Sequence, residues 1–332
     1  MIDGHVHYAD SLGRIKFNQL IEEYNIEGIA LQCIPKDGKW AVENDALRFK
    51  KQSKVPVYVF GGIARDIFEL PKEHLIFMLP QEIDRLMEMG CTGIKMLEGK
   101  PIVRKQWPVP DFDDMVWDPY FEKLEKEQIP VMFHVNDPED FWDAGQISEF
   151  AKQAGWFYDD TYINNEEQYR QVMERLKKNP KLRICFPHFF FMSRQLPRLG
   201  EILDQFPNVM IDLAPGIELY YNLSEQEDKA KEFFIKYQDR ICYGTDIGAR
   251  SIIRREKLPL SMDESRSRIS LITKFLETKG DYILRPDGQY VKEGEPVLMH
   301  GLGLDSLVLR KVYHDNFMKF MNLKNCMGEA VC

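Results

Sequence analysis

The sequence predicts an α/β fold, a (β/α)8 barrel with long loops after the fourth and fifth strands and helices at its C-terminus. Eight short apolar runs recur along the chain, and amphipathic stretches separate most of them. The runs are rich in Val, Ile, Phe and Leu with little polar alternation, which is typical of strands buried on both faces of a parallel sheet. The 332 residues suit a barrel that forms one domain from residue 1 to residue 332.

The elements follow one another in regular order. The predicted strands cover residues 1–7, 27–35, 55–63, 92–97, 129–135, 182–188, 208–214 and 240–246. The predicted helices cover residues 14–25, 79–90, 118–128, 165–180, 194–207, 225–240 and 264–280, and a terminal helix covers 304–322. A doubly wound sheet is the alternative fold, but no GxGxxG or GxxxxGK[ST] motif follows the first strand, which weakens its nucleotide-binding form.

Two long stretches interrupt the alternation. Residues 99–117 and 136–164 are rich in aromatic residues and prolines, and they follow the fourth and fifth predicted strands. Loops that follow the strands of a barrel lie at its catalytic face, so these two are expected to line or cover a pocket. The segment 281–303, rich in Gly and Pro, is expected to lead into the terminal helix.

Composition narrows the range of partners. The net charge is −9 and no long basic tract occurs, which argues against nucleic acid as a partner. No apolar run reaches ~18 residues and the N-terminus lacks the pattern of a signal peptide, so no membrane association is expected. The six cysteines have no paired spacing and predict reduced thiols in a cytoplasmic protein. A homodimer is expected on general grounds.

Potential metal ligands stand at the carboxyl ends of the predicted strands. His5 and His7 close the first strand, His134 the fifth and His188 the sixth, and Asp246 closes the eighth. Residues i and i+2 of a strand share a face, and a barrel brings all these strand ends to one rim. The alternatives are a pair of surface histidines near the terminus, single rim histidines, and a helix N-cap at Asp246.

Neutral imidazoles with one carboxylate suit zinc or a similar divalent ion. Such an ion lowers the pKa of a bound water from ~15.7 toward ~7. A neighbouring carboxylate can then accept the proton of that water, and a further histidine can act as acid or base. The pattern therefore predicts a divalent metal at the rim, zinc before manganese.

At these residues the sequence resembles a known family. The motifs DGHVH, GIKML, FHVND, PHFF and YGTD resemble the amidohydrolase superfamily, in the branch related to aminocarboxymuconate semialdehyde decarboxylase. The resemblance implies that His5, His7 and His134 bind the metal and that Asp246 both binds it and handles the proton of its water. It implies that His188 is a catalytic acid or base beside the metal.

Lys95, in GIKML, leaves the number of metals open. Other amidohydrolases bridge two metals with a carbamylated lysine after the fourth strand, and Lys95 matches that place. The decarboxylase-like branch implies no such bridge, so Lys95 is expected to bind substrate or to supply charge near the metal, with one metal favoured. The alternative is a salt bridge at the end of the barrel.

Substrate contacts are less defined. Basic residues that can face the rim and clamp a carboxylate are Lys36, Arg65, Arg104 and Arg250, of which Arg65 and Arg250 join Lys95 as predicted substrate-binding residues. Aromatic residues of the long loops either line the pocket or pack beneath the loops.

Three functions remain open. The leading hypothesis is a metal-dependent hydrolase whose metal-activated water attacks a small substrate, with or without a carboxylate. The second is a non-oxidative decarboxylase that uses the same site, as the resemblance permits. The third is a catalytically silent barrel that acts as a binding protein, against which all five rim positions retain ligand-capable side chains.

Overall fold

The structure, a computed structural model, describes residues 1–8, 13–34, 41–216, 218–248, 262–284 and 296–323. An eight-stranded parallel sheet runs in chain order from β1 to β8. Its strands are β1 (Ile2–Tyr8), β2 (Gly28–Cys33), β3 (Val57–Gly62), β4 (Gly93–Gly99), β5 (Val131–Val135), β6 (Ile184–Phe186), β7 (Val209–Asp212) and β8 (Ile241–Cys242). Each overlaps its predicted run, and the predicted α/β barrel is confirmed.

The first and last strands close the sheet on itself. The amide of Gly4 donates to the carbonyl of Tyr243 at 3.0 Å, and the amide of His7 donates to the carbonyl of Ile247 at 2.8 Å. Val6 and Ile247 form a parallel bridge. Closure places the end of β1, with its two histidines, beside the segment that follows β8.

Helices surround the sheet. They are α1 (Gly13–Glu23), α2 (Ala41–Gln52), α3 (Lys72–Met89), α4 (Pro101–Gln106), α5 (Asp118–Glu127), α6 (Glu149–Gln153), α7 (Asn165–Lys178), α8 (Leu196–Gln205), α9 (Leu219–Ser224), α10 (Glu227–Lys236), α11 (Met262–Glu277), α12 (Ser306–Arg310) and α13 (Asn316–Phe320). All seven helices predicted before the terminal helix are present, and α12, a π-helical turn at Lys311–Asp315 and α13 form the terminal helix.

Several elements were not predicted, among them the short helices α4, α6 and α9. Helix α2 connects β2 to β3, although the highly charged sequence of residues 43–52 resembles a solvated loop. In the segment predicted as a Gly/Pro-rich connection, β9 (Lys279–Leu284) pairs antiparallel with β10 (Val297–Leu302). Only part of each strand of this hairpin is buried, so neither gives the continuous apolar signal of a barrel strand.

The barrel interior is filled by side chains from successive strands. One buried layer consists of Ile2, Ala30, Phe60, Met132, Cys185, Met210 and Cys242, and it packs against Phe317 and Phe320 of α13. The terminal helix therefore closes one end of the barrel, and the other end is left for the site. Cys33, Cys91, Cys185 and Cys242 are buried free thiols, as predicted.

The long loop after β5 carries its own small core. Phe141, Ile147, Ala151 and Tyr158 are buried there, and Trp142 and Trp156 pack against them. These aromatic residues support the loop, which is the packing alternative considered for them. No helix in the described ranges is long and apolar enough to cross a membrane.

We expect Gly99→Ala to destabilise the protein by roughly 1–3 kcal/mol, because overpacking forces the backbone to move. Gly99 ends β4 opposite Val135, and a Cβ there would collide with the carbonyl oxygen of His134. The matched control is Gly28→Ala, where the nearest atom to the new Cβ is the Pro56 carbonyl at 3.4 Å. Urea unfolding measures both free energies, and equal losses would contradict the close approach at Gly99.

Candidate functional site

His5 and His7 lie side by side at the end of β1. Their side chains share one face of the strand, as predicted, and their Nε2 atoms are 3.4 Å apart. Both residues are buried, with 0% and 8% of their surface exposed. The alternative of two solvated histidines at the terminus is excluded by this burial.

The Nδ1 atoms of both histidines face hydrogen-bond acceptors. His5 Nδ1 lies 2.7 Å from a carboxylate oxygen of Asp212, and His7 Nδ1 lies 3.3 Å from the Gln32 carbonyl. In the neutral tautomer with its hydrogen on Nδ1, each histidine presents an Nε2 lone pair. Two such lone pairs would face each other across 3.4 Å, and a cation between them would satisfy both.

Asp246 completes this group from the segment that follows β8, which lies beside the end of β1. Its Oδ1 lies 2.9 Å from His7 Nε2 and 3.6 Å from His5 Nε2. Arg268 of α11 donates to Oδ2 at 3.1 Å and to the backbone carbonyl of Asp246 at 2.6 Å. Although burial opposes it, His7, Arg268 and His5 hold the pKa of the Asp246 carboxyl well below its usual range. Asp246 is therefore an anion in the site.

His188 enters the site from a strained turn after β6. The four residues His188–Phe191 all have φ between 54° and 57°, the left-handed region, which costs roughly 1–2 kcal/mol per residue outside glycine. The His188 amide donates to Asp212 at 2.8 Å, and His188 Nδ1 lies 3.1 Å from the Ala214 carbonyl. His188 Nε2 is consequently the ring atom left to face the cluster.

The three apolar residues of this turn hold it in place. Phe190 stacks on Phe186 with ring centroids 4.0 Å apart, and Phe189 packs on Phe234. The ring of Phe191 stacks on His188 at 5.0 Å and approaches His134 at 5.3 Å. Burial of the three aromatic rings offsets the backbone strain and covers one side of the histidine cluster.

His188 extends this group, since the ligand atoms of His5, His188 and Asp246 all lie within 4.8 Å of one another. His134 of β5 adjoins this group, since its ring centroid is 5.1 Å from that of His188. His134 Nε2 is buried and forms no hydrogen bond with the residues that the structure describes, although Asp137 Oδ1 lies 3.4 Å away. Burial and the nearby Lys100 ammonium lower the pKa of His134 to about 4, so it is a neutral imidazole.

Lys95 of β4 points into the same volume. Its Nζ lies 3.4 Å from His5 Nε2, and the residue is 1% exposed. Burial lowers the pKa of Lys95 to about 8, and the carboxylates of Asp212 and Asp246 oppose that shift. The structure places Lys95 where it can meet a metal-bound ligand, and it contacts His5 rather than forming a surface salt bridge.

The other predicted basic residues are less central. Arg65 begins a short 3-10 helix after β3, is partly exposed and interacts electrostatically with the buried Glu98. Arg104 donates to Gln171 at 2.9 Å and to Asp111 at 2.6 Å, so it braces the loop after β4. Lys36 and Arg250 lie outside the described residues.

Sequence reasoning missed the residues that orient the ligands. Asp212 is fully buried at the end of β7 and holds both His5 and His188. Asp3 is also buried and accepts hydrogen bonds from the amide and hydroxyl of Thr245, next to Asp246. An aspartate inside an apolar run, as in NVMIDLA, was the available signal for Asp212. Nothing comparable pointed to Arg268.

Several solved structures have the same fold and align with 97% of this chain at low sequence identity. They include 2,6-dihydroxybenzoate decarboxylase bound to 2,6-dihydroxybenzoate (TM-score 0.54, 11% identity, 99% of that chain) and IDCase from Metarhizium anisopliae (TM-score 0.54, 14% identity, 96% of that chain). A third is dihydroxybenzoic acid decarboxylase from Polaromonas sp. JS666 with manganese and the inhibitor 2-nitroresorcinol (TM-score 0.52, 11% identity, 96% of that chain).

No curated protein matches the sequence. The family model described as amidohydrolase matches residues 78–320, from α3 to the last residue of α13. This match covers well over half of the chain and confirms the resemblance stated from the motifs. The chain therefore belongs to the amidohydrolase family.

Proposed function

We propose that this chain is a metal-dependent decarboxylase of a small carboxylated substrate. The supporting observation is the pair of Nε2 atoms, 3.4 Å apart, with the anionic Asp246 beside them. His5, His7, His134 and Asp246 would hold one divalent ion, zinc or manganese, since three imidazoles and one carboxylate suit either. When bound, the ion supplies Lewis-acid charge that attracts and polarises substrate oxygens.

The charges around the site favour an anionic substrate. Asp212, Asp246 and Glu264, which pairs with Arg268 at 3.2 Å, carry one negative charge more than Lys95 and Arg268 supply, so a divalent ion leaves the site with one net positive charge. Burial raises the pKa of Asp3 to about 7, so this third carboxyl does not add a full negative charge at neutral pH. Lys95 Nζ, close to His5 Nε2, is placed to bind the substrate carboxylate, and Arg65 stands farther along the rim.

Arg268 favours decarboxylation over hydrolysis. A hydrolase needs its aspartate to accept a proton from the attacking water. Here Arg268 binds the second oxygen of Asp246 at 3.1 Å and keeps that carboxylate weakly basic. Loss of CO₂ needs no such base: the carbon–carbon bond breaks, its electron pair stays on the substrate carbon, and a proton replaces CO₂. That proton comes from solvent: His188 Nε2, which faces the cluster, would take it up and pass it to the substrate carbon, which returns the imidazole to its neutral form.

Hydrolysis remains the second candidate because of the place of Asp246 Oδ1. That oxygen lies within 3.6 Å of the Nε2 atoms of both His5 and His7, where it could take a proton from a water activated there. The solved structures of the same fold include 2,6-dihydroxybenzoate decarboxylase and dihydroxybenzoic acid decarboxylase, which supports the first candidate. Product analysis separates the two.

We expect purified protein to contain near one equivalent of zinc or manganese per chain by elemental analysis. His5→Ala should lose the metal, because it removes the central Nε2 donor. His74→Ala, in the exposed start of α3, is the matched control and should retain it. Lys95→Ala should also retain one equivalent. Two equivalents in the wild type, falling to one or less in Lys95→Ala, would instead indicate a lysine-bridged pair.

We expect Asp212→Asn to weaken metal affinity by roughly 10–100-fold, the usual effect of removing a group that orients a ligand. Asp212 accepts from His5 Nδ1 and from two backbone amides, and an asparagine would turn an N–H₂ group toward one of them. Competition with a chromogenic chelator measures the affinity. The control is Asp204→Asn, at an exposed position of α8. Equal metal affinities in the wild type, Asp212→Asn and Asp204→Asn would refute this orienting role.

We expect small aromatic carboxylic acids, with 2,6-dihydroxybenzoate tested first, to release CO₂ and to gain one deuterium at the former carboxyl carbon in D₂O. Mass spectrometry of the products in H₂¹⁸O and D₂O measures both labels. His188→Asn should lower the rate of CO₂ release by about 10²–10⁴-fold if His188 carries the proton. Hydrolysis would be established if the products of esters, lactones or amides contain ¹⁸O and no acid releases CO₂.

A further inference from the structure

Glu218 lies on the loop that leads from β7 into α9, on the same end of the barrel as the histidine cluster. Four residues earlier, the carbonyl of Ala214 accepts the hydrogen bond from His188 Nδ1. The Glu218 carboxyl folds over Gly216, where a Cβ would lie 2.5 Å from Oε2. Glycine at position 216 therefore lets the carboxyl lie against the loop backbone instead of turning into solvent.

Both carboxyl oxygens of Glu218 are buried, and no other residue in the described part of the chain donates a hydrogen bond to them. Buried polar atoms in folded proteins are almost always paired. A buried carboxyl that the described residues leave unpaired, at the ligand-binding end of a barrel, is therefore available to a bound ligand.

The charges around Glu218 come from the loop after β5 and the start of α8. Asp137 and Asp140 lie on that loop, and Arg194 is the cation that interacts with Glu218. Arg194 is already paired, since it donates to Asp140 at 2.6 Å and to Asn222 at 3.0 Å. Arg194, the neighbouring cation, is therefore hydrogen-bonded to another acid, Asp140.

The carboxylate of Asp137 is also hydrogen-bonded to a cation. Lys100 Nζ donates to it at 2.5 Å, and the Tyr158 hydroxyl donates to its other oxygen. Of the three carboxyls, Glu218 is the one to which no cation among the described residues donates a hydrogen bond. Burial raises the pKa of Glu218 to about 8, its own backbone amide opposes this, and the carboxylates of Asp137 and Asp140 raise it further. At neutral pH this carboxyl keeps its proton and is an O–H donor.

We propose that Glu218 is a substrate-binding residue whose carboxyl O–H donates a hydrogen bond to an oxygen of the carboxylated substrate. The assignment rests on the proposed function, because an anionic substrate is the acceptor that a neutral acid recognises and an ionised one repels. Asp137 and Asp140, paired with their own cations, keep Glu218 in its neutral form. A cationic substrate group bound to ionised Glu218 is the competing assignment.

The test uses calorimetry to measure the Kd of 2,6-dihydroxybenzoate, benzoate and acetate for the metal-loaded protein from pH 6.5 to 9.5. The variants are Glu218→Gln, which mimics the neutral acid, and Glu218→Ala, with Glu225→Gln on an exposed position as control. The ratio of the wild-type Kd to that of Glu218→Gln isolates this carboxyl, because the metal centre and Lys95 titrate alike in both proteins.

We expect this ratio to stay within about threefold of unity at pH 7 and to rise about tenfold per pH unit above pH 8. Glu218→Ala should bind about tenfold or more weakly at pH 7, and Glu225→Gln should match the wild type. Binding that is unchanged in Glu218→Ala, or lost equally in Glu218→Gln, would overturn the assignment. So would binding of benzylamine that tightens as the pH rises.

Infrared difference spectra of wild type against Glu218→Gln give a second measurement that needs no ligand. The carbonyl band of a protonated carboxyl should be present at pH 7 and disappear above pH 8, and its absence at pH 7 would overturn the assignment. If the band is present but none of the three carboxylates binds the wild type, the anionic-substrate part of the proposed function fails and takes this assignment with it. If they bind and only the Glu218 variants behave otherwise, the proposed function stands and this inference alone fails.

Discussion

The carboxylate of Asp212 joins three strands of the barrel at the end where the histidines meet. It accepts from the ring of His5 on β1, from the backbone of His188 after β6, and from the amide of Ala214 after its own strand, β7. Burial raises the pKa of Asp212, whereas His188 and these amides lower it. The site depends on this balance, because the carboxylate that accepts from His5 Nδ1 turns His5 Nε2 toward the ligand position.

The strained turn at His188–Phe191 depends on the same carboxylate. Four consecutive left-handed residues are rare outside glycine, and here the first is tied to Asp212 while the next three bury aromatic rings. Strain of this kind persists only where surrounding contacts over-determine the backbone. The result is a histidine whose position is fixed on both sides, by a carboxylate at its backbone and by the ring of Phe191 on its imidazole.

The sequence predicted the barrel well because parallel strands buried on both faces leave continuous apolar runs. It also predicted that His5, His7, His188 and Asp246 would meet, since strand ends converge in any barrel. It could not predict Arg268, which reaches Asp246 from α11 across the rim, because a helix surface carries many arginines and only tertiary packing selects one. Glu218 was missed for a related reason: burial of a loop carboxyl depends on neighbours that are distant in sequence.

Charge, rather than ligand identity, separates the reactions that this site could perform. The same histidines and aspartate could activate a water or bind a carboxylate, and the outcome depends on how basic Asp246 is. Arg268 binds Asp246 at both its side chain and its backbone carbonyl, so it cannot swing away without disturbing the barrel seam beside β1. Lys95 adds positive charge next to His5. Arg268 makes Asp246 a weaker base, and Arg268 and Lys95 both add positive charge. These charges favour the proposed binding of an anion over the deprotonation of water.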